Sequence, residues 1–144
     1  MAVARTAVVL DDRLLIEHLL MGLDLSGEIY TTSYWYYRAC RAAVAGAGGH
    51  LSGPFEQLDE PHQGAAIRSL LDLPEHVRLP DPRMTVPKMA ELSERHPKLN
   101  LLNLEAVAAG VSLGATALLS PPTAEGVLPS VLDAEQVTWT VVEL

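Results

Sequence analysis

The stretch that decides the fold is residues 6–20, which read TAVVLDDRLLIEHLL. Its first part, residues 6–10, is apolar on both faces of a pleated strand, and this pattern is typical of a strand buried within a parallel sheet. Asp11 and Asp12 end the apolar run, and leucines at helical spacing follow as far as Gly22. The stretch therefore predicts a buried strand, an acidic turn and a helix.

The same alternation of short strands and helices continues along the chain. Strands are predicted over 27–32, 77–79, 116–119 and 137–142, helices over 33–45, 62–71, 84–96, 102–113 and 124–134, and a loop or short helical turn over 50–61. Gly114 follows the strongest helical pattern in the position of a C-cap. These segments predict an α/β fold, with a mostly parallel central sheet of about five short strands flanked by helices.

Length and composition limit the class of protein. The chain has 144 residues, of which 49% are hydrophobic, and this is enough for a single domain over 1–144 with a continuous core. Its longest apolar runs fall far short of the ~20 residues that a membrane helix requires. Residues 1–10 do not read as a signal peptide, and Cys40, the one cysteine, cannot form an internal disulfide. We expect a cytoplasmic protein with no membrane partner.

The charge of the chain is acidic and unevenly distributed. Ten Lys and Arg face 18 Asp and Glu, which gives a formal net charge of −8. Residues 101–144 contain five acids and no Lys or Arg. A chain of this charge lacks the general basic field that drives binding to phosphates. Any surface that binds a polyanion must therefore come from the first two thirds of the chain.

Acidic residues near predicted strand ends are the first candidates for a site, because ligands of parallel α/β sheets bind outside the carboxyl ends of the strands. Asp11 follows the first strand, and Glu105 lies at the start of a later helix. Together they could hold Mg²⁺, which can activate water for cleavage of a phosphodiester. The alternative is that Asp11 or Asp12 only caps the first helix, a common role for Asp.

Two segments, AVVLDDRLLIEHLL at 7–20 and LNLEAVAAGVSLGATALLSPP at 102–122, resemble a PIN domain, the nuclease-type α/β module of many bacterial toxin ribonucleases. In that family an Asp follows the first strand and an acid opens the helix before the fourth strand. Asp11 and Glu105 match these positions. The resemblance implies a metal-dependent endoribonuclease in which Asp11 and Glu105 are catalytic and, with Asp12, hold Mg²⁺ or Mn²⁺. It also implies a homodimer and an antitoxin-like protein partner.

The chain departs from the family at two acidic positions. The family usually has a Glu in the helix after the second strand, where residues 32–44 read TSYWYYRACRAAV and include Arg38 and Arg41 but no acid. It also usually has an Asp after the fourth strand, where this chain reads SPP at 120–122. Asp12, Asp81 or Glu125 could partly compensate. The resemblance therefore supports the fold more strongly than the activity.

An aromatic cluster is the second candidate feature, because five of the seven aromatic residues lie within 30–37. A helix from Ser33 brings Tyr34, Tyr37, Arg38 and Arg41 on or near one face. Rings that stack on bases, with Arg on phosphate, bind single-stranded nucleic acid in many proteins. The alternative is that Trp35 and some tyrosines fill the core or a homodimer interface.

Two hypotheses follow. The first is a PIN-like protein that is a weak or inactive Mg²⁺- or Mn²⁺-dependent ribonuclease of toxin type, with Arg38 or Arg41 on the RNA phosphate. The second is a non-catalytic binding or dimerisation module that uses the aromatic and arginine-bearing helix 33–45.

Overall fold

The structure is a computed structural model that describes residues 6–47 and 60–143. In chain order its elements are β1 (Ala7–Leu10), α1 (Asp12–Met21), β2 (Glu28–Thr31), α2 (Ser33–Ala47), α3 (Glu60–Leu71), β3 (Val77–Arg78), α4 (Pro82–Arg95), α5 (Leu101–Leu113), β4 (Thr116–Leu119), α6 (Pro121–Ala124), α7 (Leu128–Ala134) and β5 (Trp139–Val141). Most of the predicted loop over 50–61 lies outside the described residues.

The strands form one sheet in the order β3-β2-β1-β4-β5, and every pair of neighbours is parallel. The predicted α/β fold with a parallel sheet of about five short strands is therefore confirmed. β1 is the central strand, and Leu10 pairs with Thr31 of β2 on one side and with Leu118 of β4 on the other. This central position explains why residues 7–10 are apolar on both faces. The chain winds away from β1 in both directions, so a crevice is expected at the carboxyl ends of β1 and β4.

Helix α5 is the most deeply buried helix in the part of the chain that the structure describes. Residues 104–110 are all buried, and several of them join Val9, Trp35 and Leu119 in the largest cluster of the core. Its uniform apolar sequence follows from this position, since a helix that is covered on all sides needs no polar face.

The region after β4 differs from the prediction of one helix over 124–134. Two short helices, α6 and α7, occupy it and are separated around Gly126. Pro121 and Pro122 begin α6, and Pro129 is the second residue of α7. Proline is favoured in a first helical turn, where its missing N–H costs nothing, and disfavoured further along. The prolines thus start two helices where the periodicity indicated one.

None of the described helices is both long and apolar enough to cross a membrane.

Candidate functional site

Asp11 lies at the carboxyl end of β1 and is fully buried. Its Oδ1 accepts the Leu14 amide N–H at 2.9 Å, so Asp11 is the N-cap of α1. Its Oδ2 accepts the Ser120 amide at 2.8 Å, the Ser120 hydroxyl at 2.5 Å and the Thr123 hydroxyl at 2.7 Å. The protein itself therefore supplies four hydrogen-bond donors to this carboxylate, one on Oδ1 and three on Oδ2. Asp11 thereby ties the ends of β1 and β4 together.

Glu105 is also buried, and its carboxylate faces the first turn of α2. Oε1 accepts the Tyr34 amide at 2.8 Å, and Oε2 accepts the Ser33 amide at 3.2 Å. The next amide, that of Trp35, donates to the Thr32 hydroxyl at 3.1 Å. Negative charge at this point is favourable, because the first N–H groups of a helix are unpaired and carry partial positive charge. Glu105 therefore caps α2 from another helix, α5.

The predicted metal ligands Asp11 and Glu105 are thus engaged by different partners. Within the described residues no group of three or more His, Cys, Asp or Glu is placed to hold a metal ion. A Mg²⁺ or Mn²⁺ ion at Oδ2 of Asp11 would have to compete with the three N–H and O–H groups that already donate to this oxygen. The donors at these two acids therefore suit helix capping better than a shared divalent metal.

Asp12, the third predicted ligand, pairs with an arginine. Its Oδ1 accepts the Arg13 amide at 3.0 Å, and its Oδ2 lies 3.3 Å from Nε of Arg38. Burial raises the pKa of the Asp12 carboxyl, and the charge of Asp11 adds to this, whereas Arg38 opposes both. The half-buried carboxylate of Asp12 is therefore paired with the guanidinium of Arg38.

A cavity of about 610 Å³ opens beside this pair, where α1, α2, α5 and α6 meet at the carboxyl ends of the strands. Its polar lining includes Asp12, Arg13, Arg38, Asn100 and Asn103, and the indole of Trp35 contributes to an apolar wall. The volume is typical of a site for a small ligand or for part of a larger one. Two guanidinium groups and two amides against an apolar wall suit a ligand that has both an anionic group and a flat ring.

Helix α2 divides the aromatic cluster between core and solvent. Trp35 is buried in the core, and the Tyr36 hydroxyl donates to the Leu70 carbonyl at 2.9 Å. Tyr34 and Tyr37 remain 38% and 62% exposed, and Arg41 is exposed one turn further on. The core-filling alternative therefore holds for Trp35 and Tyr36 but not for Tyr34 and Tyr37. We call Tyr34, Tyr37, Arg38 and Arg41 the α2 face.

Arg38 joins the α2 face to the cavity. Its side chain is 56% exposed, it lines the cavity, and only its Nε contacts Asp12. The structure thus brings Asp12, Arg38, Tyr34, Tyr37 and Arg41 to one side of the molecule, whereas the carboxylates of Asp11 and Glu105 are turned to partners within the protein.

Several residues of the site were not predicted from the sequence. Ser120 and Thr123 lie just after β4 and donate hydrogen bonds to Asp11. They are 109 and 112 residues away from Asp11 along the chain, so no local pattern predicts these contacts. Asn100 accepts the Asn103 amide at 2.9 Å as the N-cap of α5, and an Asn before a strong helical pattern is a recognisable signal. No local signal identifies Arg13.

The two acids that could have compensated lie elsewhere. Asp81 caps α4 by accepting the Arg83 amide at 2.9 Å. Glu125 is exposed at the end of α6 and does not line the cavity.

A comparison with models of protein families and with curated proteins found no match to this chain. The resemblance to PIN domains is therefore a hypothesis that rests on the sequence motifs.

Proposed function

We propose that this protein is a PIN-like module that binds single-stranded RNA through the α2 face and the adjoining cavity and does not use a metal-dependent cleavage step. The observation that carries the proposal is the engagement of Asp11 and Glu105. Both carboxylates accept hydrogen bonds from the protein itself, so they serve the fold at the place where a nuclease needs free metal ligands.

The α2 face supports an RNA ligand by its chemistry. The side chains of Tyr34, Tyr37 and Arg41 make no hydrogen bond or ion pair with the described residues, so stacking and phosphate contacts would break nothing in the described fold. Exposed rings stack on unpaired bases whatever their sequence, and a guanidinium binds phosphate through two parallel N–H donors. Along this exposed helix surface two rings, Tyr34 and Tyr37, are followed by two guanidinium groups, Arg38 and Arg41.

The cavity supports the same ligand. Arg13 and Arg38 can contact a phosphate, and the Asn100 and Asn103 side chains can pair with the edge of a base. With Arg41, this side of the molecule collects three of the ten Lys and Arg of the chain. A local basic surface is compatible with a net charge of −8, since binding depends on the charges within about a Debye length of the phosphates. We expect such a protein in the cytoplasm.

Binding to RNA can be tested by fluorescence anisotropy with a labelled single strand of about twelve nucleotides at about 0.1 M salt. We expect Tyr37→Ala to weaken binding by about tenfold, the loss of one stacked base, and Tyr37→Phe to bind like the wild type because the ring remains. Arg41→Ala should lower the slope of log Kd against log salt by about 0.7, the value for one lost phosphate contact on a single strand. Arg83→Ala, an exposed arginine on α4, is the matched control.

Three results would overturn the proposal. One is equal RNA affinity of the wild type and Tyr37→Ala, or no binding by either. Another is Mn²⁺-dependent cleavage that Asp11→Ala abolishes in a protein that is still folded, which would favour the toxin-type ribonuclease. The third is a dimer in sedimentation that Tyr37→Ala dissociates, which would assign the α2 face to a homodimer interface.

A further inference from the structure

Asp12 and Arg38 form an ion pair in the wall of the cavity, and the two partners are held differently. Asp12 is the first residue of α1, and its side chain is only 16% exposed. Arg38 is in the middle of α2 with 56% of its side chain exposed. The carboxylate is therefore the fixed partner, and the long guanidinium side chain is the one that can move.

The contact between them leaves part of each group free. Nε of Arg38 lies 3.3 Å from Oδ2 of Asp12, and neither Nη forms a hydrogen bond or ion pair with the described residues. The other oxygen of Asp12 accepts the Arg13 amide at 3.0 Å. A phosphate that approaches the Nη edge of Arg38 is attracted by the guanidinium and repelled by the carboxylate behind it. The repulsion is strengthened by the burial of Asp12, because charges interact more strongly away from bulk water.

We propose that Asp12 is a built-in competitor for phosphate at Arg38 and so sets the affinity of the cavity for phosphate groups. With Asp12 in place, a free phosphate binds only weakly at Arg38, because the carboxylate repels it. A strand of RNA makes the same phosphate contact and also stacks its bases on Tyr34 and Tyr37. Asp12 therefore favours ligands that carry both a phosphate and a base. This inference rests on the proposed function and names a residue that determines its specificity.

The test is Asp12→Asn, which removes the charge and retains an oxygen for the Arg13 amide. In the anisotropy assay at about 0.1 M salt we expect RNA to bind about three- to tenfold more tightly, with the gain shrinking at high salt. Inorganic phosphate, used as the competitor, should displace RNA from the variant at a lower concentration than from the wild type. Arg38→Ala should remove the gain, so that the double variant binds like Arg38→Ala alone.

Asp24→Asn is the matched control, because Asp24 is exposed beyond the far end of α1 and loses the same charge. It should change the affinity less than twofold. Unchanged or weaker binding by folded Asp12→Asn and by Asp12→Ala would overturn the role of Asp12.

Failure of the proposed function gives a different result, namely no RNA binding by the wild type. Calorimetry with inorganic phosphate alone still tests the inference in that case. Phosphate binding that is stronger in Asp12→Asn than in the wild type would support it, and equal binding would overturn it.

Discussion

At the residue scale, Asp11 illustrates how a buried charge becomes part of the framework. Two amides and two hydroxyls donate to it. Asp11→Ala would leave these donors buried and unpaired, and each such group costs about 1–3 kcal/mol. We expect the free energy of unfolding in urea to fall by about 3 kcal/mol. Asp24→Ala, at an exposed position, should change it by less than about 0.5 kcal/mol. Equal stability of the two variants would contradict a structural role for Asp11.

Gly110 is a second residue whose identity follows from packing. A Cβ built on it would lie 2.7 Å from Cγ1 of Val137, closer than carbon atoms approach without repulsion. We expect Gly110→Ala to destabilise the protein by about 1–3 kcal/mol despite the better helix propensity of alanine. The measurement is again unfolding in urea.

Gly64 of α3 offers the control, since among the described residues its Cβ would meet only the Arg68 guanidinium, at 3.4 Å. Gly64→Ala should be neutral or stabilising by up to about 1 kcal/mol. If the clash with Val137 is the cause, Val137→Ala should cost less in the Gly110→Ala background than in the wild type. Additive effects of the two substitutions would contradict that explanation.

At the element scale, α2 begins under the control of α5. Glu105 accepts the first two amides of α2 although the residues are 71 and 72 apart in the chain. Glu105→Gln retains one acceptor and turns an N–H₂ group toward an amide donor. We expect a loss of about 1–3 kcal/mol in stability and faster hydrogen exchange at the Ser33 and Tyr34 amides. Slower or unchanged exchange there would show that α2 does not depend on this cap.

A pair of histidines joins α1 to the loop before β3. His18 accepts the Leu23 amide at Nδ1, 3.2 Å away, so its neutral ring carries hydrogen on Nε2 and donates to Nε2 of His76 at 3.0 Å. Burial lowers the pKa of His18 below its ordinary value of 6.5, and His76 adds to the effect. Since the unfolded chain then takes up the proton more readily than the folded one, stability is full above about pH 6.5 and falls as the pH drops below it.

The pair therefore predicts a pH dependence of unfolding. Between about pH 7.5 and about pH 5.5 the wild type should lose more stability than His18→Gln, which cannot take up a proton. Arg95 and His96 hold the pKa of Glu135 near 2, so this ion-paired acid contributes stability that is lost only below its ordinary value of 4.5 and does not interfere. Parallel pH curves for wild type and variant would exclude the histidine pair as the cause.

At the scale of the whole molecule, the acids at the described strand ends are engaged by other groups, so we expect a divalent metal not to raise the thermal stability. An ion that binds only the folded state at a hundred times its dissociation constant adds about 2.7 kcal/mol. We expect about 1 mM Mn²⁺ to leave the Tm of the wild type within about 1 °C of its value in a chelator. A clear rise that is lost in Asp12→Asn, a variant at the cavity, would restore the metal hypothesis.

Much of the architecture could be predicted from local pattern. The doubly apolar run at 6–10 predicted a strand in the middle of a parallel sheet, and Gly114 marked the end of α5 as its C-cap. The division of residues 121–134 into α6 and α7 was not predicted. The apolar spacing indicated one helix, although Pro121, Pro122 and Pro129 mark the first turns of two. The sequence indicated Asp11 and Glu105 as residues to examine, but it did not predict the groups that donate hydrogen bonds to them.

The sequence by itself determined the fold class, since hydrophobic period and helix signals act between residues close along the chain. It also determined that α2 carries an unusual set of rings and guanidinium groups. Only the tertiary structure decided which groups the acids face. The carboxylate of Asp11 accepts a hydrogen bond from Ser120, which is 109 residues away along the chain. Patterns among neighbouring residues cannot predict such a contact. Burial then makes these long-range donors decisive, because a carboxylate removed from water must be paired wherever the fold brings a partner.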